Sequence, residues 1–461
     1  MLPIDLSAKH LVVGFGITGL SVVKALKFLG VEHILAMDSR DNPPNSEEIQ
    51  KIATSTFEGG FNLEWLDECD YLWLSPGIPL ATSELQDCLN RLPKDHVGGD
   101  IELFARLTQH DEIIGITGTN GKSTVTTLTA EILANDREHV FVGGNLGEPA
   151  LNLWLHVQEN NIKNPTYVLE LSSFQLETTD HLNVDVGVIL NLAPDHLDRY
   201  NGFDDYANAK FKLLDMAKRW VVNNEDQYLM NHIASRDVQK PATTFALKQG
   251  VEAGWHMNWQ DGLPVAIMNQ SISIPLNEIS IGGLHNYANV MACCCIADDL
   301  QVSEQALRQS IKTYQALPHR CVLVKSINGV RYYNDSKATN LPSTVAAIEG
   351  FLEPKWLILG GVTKDQDFSE LMTLLDHPSM LGVYLIGKDV SAIAPHIPIN
   401  CESHYVETLE NALQAIHLRA KKGEVVLFSP ACASFDQFKS FNDRGDHFIR
   451  FVEALENSSN V

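Results

Sequence analysis

Short runs rich in Val, Ile and Leu alternate with stretches of helical periodicity from one end of the chain to the other. The clearest are HLVVGFG, HILAMDSR, YLWLSPGI, EIIGITG, YVLELSS, VGVILNL, KWLILGG, GVYLIGK and EVVLFSP. Most end in Gly, Ser, Asp or Asn and lead into a helical stretch. That alternation predicts an α/β protein with mainly parallel sheets, whose sites lie at the carboxyl ends of strands. Residues 221–285 carry alternating and polar patterns, and no strand order is assigned to them.

A chain of 461 residues is too long for a single core. Two connectors divide it: RLPKDHVGGD at 91–100 and ALPHR at 316–320, the latter between a helical segment and the strand CVLVKSI. Three domains are expected: a Rossmann-like N-terminal one over 1–99, a P-loop ATPase-like central one over 100–317, and a Rossmann-like C-terminal one over 318–461. Composition changes this picture little. With 44% hydrophobic and 20% charged residues, the chain reads as an ordinary globular protein. A formal net charge of -24 argues against non-specific binding to nucleic acid or anionic membranes. The N-terminus lacks the pattern of a secretory signal and no apolar stretch reaches 18 residues, so a cytoplasmic chain without membrane insertion is expected. None of the eight cysteines is spaced C-x-x-C, and Cys293, Cys294 and Cys295 fall in a helical pattern, so reduced core thiols are expected.

Two glycine-rich turns carry the chemistry. Gly14, Gly16 and Gly19 fit G-x-G-x-x-G between a strand and a helix, and Asp38 ends the next strand, 19 residues after Gly19. The glycines let the backbone approach a diphosphate, and the helix N-terminus supplies donors. The motif says "diphosphate of some nucleotide" and leaves a nicotinamide cofactor, another nucleotide and a ligand-free turn all open. The second turn, GITGTNGKST at 115–124, is not a standard phosphate loop. G-x-x-x-x-G-K-[ST] requires glycine at 116, where Ile116 stands; Gly115 is one place early and Gly118 lies inside the gap. Strand before and helix after still favour a triphosphate site, with Lys122 on the phosphates and Ser123 or Thr124 on a magnesium ion.

Other residues gain meaning beside that loop. Glu170 closes a strand and His196 follows another, both where a metal-binding acid or imidazole is useful; the bland alternative is an ordinary surface or core residue. Asn286 and Asn289, three apart, share a helix face, and Asn286 also reads as a helix cap. In NDSKATN, Asp335, Lys337 and Thr339 alternate as in an extended segment and are expected to point the same way. SPACASFDQF has small residues after a strand, which permit close backbone approach to an anion. Lys210, in DDYANAKFKLL, reads on pattern alone as a helix-surface lysine.

GITGTNGKST, YVLELSSFQLE, NLAPDHLDRY, GLHNYAN, LPHR, NDSKATN and SPACASFDQF occur in this order. Together they resemble the Mur ligases of bacterial peptidoglycan synthesis over essentially the whole chain. The variant loop is general to Mur ligases and folylpolyglutamate synthases, ATP-driven amide ligases that pass through an acyl phosphate. NDSKATN and SPACASFDQFKSF point to the branch that adds D-glutamate. The resemblance implies ATP, UDP-N-acetylmuramoyl-L-alanine and D-glutamate as substrates, Mg²⁺ as cofactor, and a monomeric chain. It implies that Gly16, Ile17, Thr18, Asp38, Ser39, Arg40 and Gly77 hold the UDP portion and that Asn145 touches the muramoyl substrate. Gly118, Thr119, Asn120, Gly121, Lys122, Ser123, Thr124, Asn286, Asn289, Arg320 and Asp335 are implied to bind ATP. Ser123, Glu170 and His196 are implied metal ligands, and Lys337, Thr339, Lys364, Ser434, Phe435 and Phe441 are implied to shape the D-glutamate site. Lys210 stands where Mur ligases carry a lysine carbamylated by CO₂, a change that turns a cation into an anion able to serve magnesium. Reaction with CO₂ needs a neutral amine, so burial or nearby cations must lower its pKa.

The implied reaction joins a carboxylate to an amine through an acyl phosphate, and closure of the third domain about ALPHR is expected to exclude water. Three rivals stay in view: a nicotinamide oxidoreductase, a non-enzymatic P-loop switch, and a sister ligase.

Overall fold

The structure, a computed structural model, describes residues 4–197, 199–237, 240–247, 254–260, 263–268, 272–276, 279, 281–363 and 366–458. Two compact units are present. One holds the chain as far as Ala246 together with Ala292–Leu307; the other holds His256–Met291 and the chain from Arg308 onward.

The first unit contains two parallel arrays. One runs Ser55–Glu58, His33–Asp38, Lys9–Val13, Tyr71–Leu74, Val97–Gly98, every neighbouring pair parallel. Its strand order reverses between Lys9–Val13 and Tyr71–Leu74, so a crevice opens beyond their carboxyl ends, where Gly14 and Ser75–Gly77 follow. The second array runs Ala242–Ala246, Ala217–Asn223, Val184–Ile189, Glu112–Thr117, Thr166–Glu170, Val140–Gly144, again all parallel. Glu112–Thr117 is central, and the 115–124 turn emerges between the ends of its two neighbours. Val12, Trp73, Phe104, Tyr167, Leu169 and Leu213 belong to one buried cluster that runs through both arrays.

In the second unit, Val322–Ile327, Val330–Asn334, Val425–Phe428, Lys355–Gly360, Met380–Ile386 and Ser403–Glu407 form a sheet in that order. Its first pair is antiparallel and the rest are parallel. Leu263–Met268 and Ile272–Pro275 pair antiparallel. The fold class is thus α/β with mostly parallel sheets, and all nine runs that open the sequence analysis contain strands. All eight cysteines are free and buried. Among the described residues no helix is long and apolar enough to cross a membrane.

Candidate active site

At the first turn, each glycine answers a different demand. Gly14 has φ +105°, and a Cβ there would lie 2.6 Å from Ser75 Oγ. A Cβ on Gly19 would lie 1.8 Å from the Gly14 carbonyl oxygen, because the helix Ile17–Leu29 starts tight against the turn. Gly16 and Gly77 have open space where a side chain would be. Asp38 is buried and its carboxylate is fully engaged. It accepts from the Phe15 amide at 2.7 Å, from the Arg40 amide at 2.9 Å, and from Arg40 Nε and Nη2 at 2.9 and 2.7 Å. These bonds hold the Asp38 carboxyl below its ordinary value against the opposing effect of burial. The acid that would bind a ribose diol in a dinucleotide site is therefore committed to Arg40, whose side chain is 55% exposed. Ile17, the first residue of the helix Ile17–Leu29, is 62% exposed.

The second turn is built differently. Gly118 and Gly121 have φ +150° and +85°, and the helix Lys122–Ala134 starts at once. Lys122 Nζ donates to the carbonyls of Gly118 and Thr119 at 3.0 and 2.8 Å. Asn191 braces the loop by accepting from the Asn120 amide and donating to its carbonyl. Thr119 Oγ1 bonds the Ala193 backbone and lies 3.0 Å from the Tyr206 hydroxyl. Glu170, buried at its strand end, accepts from Ser123 Oγ at 2.5 Å through one oxygen and from Asn145 Nδ2 at 2.7 Å through the other.

Lys210 is not a surface lysine. It is 1% exposed, on the inner face of the helix Phe203–Met216. Its Nζ donates to Gly118 O at 3.0 Å and lies 4.7 Å from the Tyr206 ring centroid. Burial first, then the Lys122 charge, lowers its pKa well below the usual lysine value, while Asp195 and Glu170 pull the other way. His196, in contrast, is exposed with φ +54°. Its ring leans on Phe174 at 4.8 Å and stands 6.4 Å from Tyr206, the ring it shares with Lys210. Among the described residues no three His, Cys, Asp or Glu converge as a metal cluster. Magnesium needs only one or two protein ligands beside phosphate and water, and the Glu170–Ser123 pair fits that demand.

In the second unit, Asn286 donates to Gly282 O at 2.7 Å and Asn289 to Asn286 Oδ1 at 3.1 Å. Asn286 lies inside the helix Leu284–Asp299, so it is not the cap that the sequence allowed. Asp335 and Lys337 do not point the same way. A turn in which the Ala338 amide bonds Asp335 O breaks the extended run. Asp335 faces inward, accepting from Ser429 Oγ and the Cys321 amide, and burial pushes its pKa up to about 7. Lys337 instead lies over the Phe441 ring. Thr339 and Arg320 are half-buried, Ser434 is buried and Phe435 is 72% exposed. Lys364 lies outside the described residues. Arg444 escaped the sequence reading. It is buried and bridges Ser336 and the Cys432 carbonyl, tying the NDSKATN loop to the SPACASF loop. Phe174, Arg199 and Tyr206 were also missed; their only signal was nearness in sequence to Glu170, His196 and Lys210 respectively.

Three family models match the chain: the Mur ligase MurD-like N-terminal domain at 8–92, the Mur ligase middle domain at 116–297, and the Mur ligase glutamate ligase domain at 319–432. Proteins named UDP-N-acetylmuramoylalanine–D-glutamate ligase are similar along their whole length. The one from Haemophilus influenzae is 38% identical over 447 residues, 96% of this chain and 98% of the other. That from Pseudomonas fluorescens is 38% identical over 452 residues, 97% and 98% of the two chains. Among solved structures, the MurF ligase of Thermotoga maritima in complex with ADP shares the fold with a TM-score of 0.61 at 16% identity, covering 99% of this chain and 100% of that one. The UDP-N-acetylmuramate-alanine ligase MurC of the same organism gives 0.56 at 17%, covering 97% and 99%. On the matched domains and the full-length identity together, the chain belongs to the Mur ligase family.

Proposed function

We propose that this chain is an ATP-dependent ligase that joins D-glutamate to UDP-N-acetylmuramoyl-L-alanine, releasing ADP and phosphate in peptidoglycan precursor synthesis. The observation that carries the reading is full-length similarity to ligases so named. The geometry supports it: a lysine-bearing phosphate loop, an acid–hydroxyl pair and a buried lysine lie together in the first unit.

The UDP portion is assigned to Gly16, Ile17, Thr18, Ser39, Arg40 and Gly77, with Asp38 acting through Arg40. Spans 1–99, 100–317 and 318–461 are assigned to the sugar nucleotide, ATP and acceptor amino acid. The L-alanyl carboxylate attacks the γ-phosphorus of ATP, forming an acyl phosphate and releasing ADP. Lys122, swinging from its own loop carbonyls, offsets the repulsion between the two anions. The amine of D-glutamate then attacks the acyl carbon, and phosphate leaves from the tetrahedral intermediate. Ser123, Glu170 and His196 would hold Mg²⁺, and a carbamate on Lys210 would add two anionic oxygens. When bound, the cation lowers the charge barrier to phosphoryl transfer. Lys210 suits the modification because burial and Lys122 favour its neutral amine. Asn286, Asn289, Arg320 and Asp335 are assigned to ATP; Lys337, Thr339, Lys364, Ser434, Phe435 and Phe441 to D-glutamate.

Phosphate release from ATP, measured with and without each of the other two substrates, tests the reading. Release requiring both UDP-N-acetylmuramoyl-L-alanine and D-glutamate is expected. Steady hydrolysis indifferent to both would mark a switch protein, and preference for another acceptor would mark a sister ligase.

A further inference from the structure

The ligation reading leaves a largely buried cation of the first unit, Arg199, unused. Arg199 follows His196 by three residues, and its amide bonds the His196 carbonyl at 3.0 Å. Its side chain is only 11% exposed. Nη1 donates to the carbonyl of Pro76 at 2.5 Å, and Nη2 to Glu177 Oε2 at 2.8 Å. The guanidinium carbon lies 3.9 Å from the centroid of the Phe174 ring. Three different kinds of partner thus surround one planar group: a backbone carbonyl, a carboxylate and an aromatic face.

These partners come from two places. Pro76 follows the strand Tyr71–Leu74 of the first array and immediately precedes Gly77, in the loop assigned to the sugar nucleotide. Phe174 and Glu177 lie on the helix Ser173–Glu177, which begins three residues after Glu170, and Phe174 also supports the His196 ring. We propose that Arg199 is a positioning residue that fixes the sugar-nucleotide loop at Pro76–Gly77 relative to the phosphate-transfer residues Glu170 and His196. This rests on the ligase reading. The attacking carboxylate and the γ-phosphorus meet only if those two segments keep their spacing, and small misplacements cost rate steeply.

A plain packing role for Arg199 fits less well. The two arrays are already joined elsewhere: on helices that flank them, Phe28 of Ile17–Leu29 packs edge-on against Trp154 of Ala150–Glu159, with ring centroids 5.5 Å apart. They also share a buried apolar cluster. The fold therefore does not depend on Arg199 for adhesion. A lysine at 199 could supply the charge but not a fork bonding two acceptors while stacking on a ring.

The test uses Arg199→Ala, Arg199→Lys and Glu177→Gln in the full chain. Arg199→Ala should lower kcat/KM for UDP-N-acetylmuramoyl-L-alanine by about 100-fold, the upper range for lost charge-assisted hydrogen bonds. ATP affinity, titrated without the sugar nucleotide, should stay within about twofold. Arg199→Lys should recover less than about a tenth of the loss, and Glu177→Gln should cost about tenfold. Without any ligand, hydrogen exchange at the Gly77 and Ile78 amides should quicken by about tenfold in Arg199→Ala. Normal kinetics in Arg199→Ala, full rescue by lysine, or a parallel loss of ATP affinity would each overturn the proposal. If Arg199→Ala does not fold, Arg199→Lys and Glu177→Gln decide it on the same readouts. A wild-type chain that fails to ligate would sink the ligase reading instead, while unchanged exchange at Gly77 and Ile78 would sink the Arg199 tie alone.

Discussion

The two glycine-rich turns of the first unit share a plan, strand to turn to helix, and differ in what they do with their acid. At the first, Asp38 accepts four hydrogen bonds, three from Arg40, and none of its capacity faces a ligand. At the second, Glu170 is bonded by a hydroxyl and an amide, neutral donors that a cation can displace. One acid is spent on aiming a cation; the other is kept in reserve. Charge pairing makes the first rigid, because breaking it leaves a buried carboxylate uncompensated. Neutral pairing leaves the second ready for metal chemistry. The same difference answers the nicotinamide reading: a dinucleotide site needs its acid on a ribose, and Asp38 is already taken.

The largest expected effect lies at the second turn. Lys122→Ala should reduce ligation by ~10³-fold or more, as loss of a preorganised cation at developing phosphate charge does. Calorimetric titration should find its affinity for UDP-N-acetylmuramoyl-L-alanine within about threefold of wild type, since the other turn is untouched. Loss of that binding would show that the two turns do not divide the substrates.

Lys210→Ala comes next. Near-complete loss of activity is expected, with partial rescue by acetate or another short carboxylic acid that replaces the missing anion. The pH dependence has a definite sign. Folded Lys210 has a pKa below its unfolded value of 10.5, so between those values the unfolded chain holds a proton the native chain lacks. Native stability from this group therefore rises with pH through that window, and is lost as pH falls through the folded pKa. Carbamate formation also rises with pH, because it needs the neutral amine. Intact mass and carbon-13 NMR at increasing pH and bicarbonate should show a growing Lys210 adduct; an adduct that shrinks as pH rises would contradict the assignment.

At the first turn the effect should be smaller. Asp38→Asn keeps the shape but loosens Arg40. The KM for the sugar nucleotide should rise about tenfold, with the KM for ATP within about twofold. An equal rise in both would dissolve the distinction between the turns.

How much of this was legible in the sequence depends on how local each cause is. The buried central strands announced themselves as apolar runs. Val140–Gly144 ends in two glycines, and Ser403–Glu407 alternates half-buried with exposed residues at a sheet edge, so neither stood out. Ala217–Asn223 follows its helix with no turn residue between. Lys122, Glu170 and Lys210 could be singled out because each sits in a recognisable motif. Arg199 could not, because its partners are Phe174, Glu177 and Pro76, the last 123 positions away in sequence. Asp38 was placed correctly at a strand end, but only tertiary geometry shows that Arg40 consumes it.

The last prediction separates space from substrate within the first turn itself. Gly16 has φ −67°, which any residue adopts, and nothing occupies the volume a Cβ would fill. If the sugar nucleotide approaches the backbone there, that empty volume belongs to the ligand. Gly16→Ala should then fold normally, with a Tm within about 2 °C of wild type, while the sugar-nucleotide KM rises several-fold. Gly19 is the reverse case. Its added methyl would meet the Gly14 carbonyl oxygen, a backbone atom that cannot rotate aside. Overpacking of this kind costs about 1–3 kcal/mol, which in a unit of this size should lower the Tm of Gly19→Ala by about 2–6 °C. Thermal melting and substrate titration of the pair give opposite patterns if the two glycines serve ligand and fold respectively. A Gly16→Ala chain with an unchanged KM would mean that no ligand comes close to that backbone, and the UDP assignment would have to rest on Ile17, Thr18, Ser39, Arg40 and Gly77.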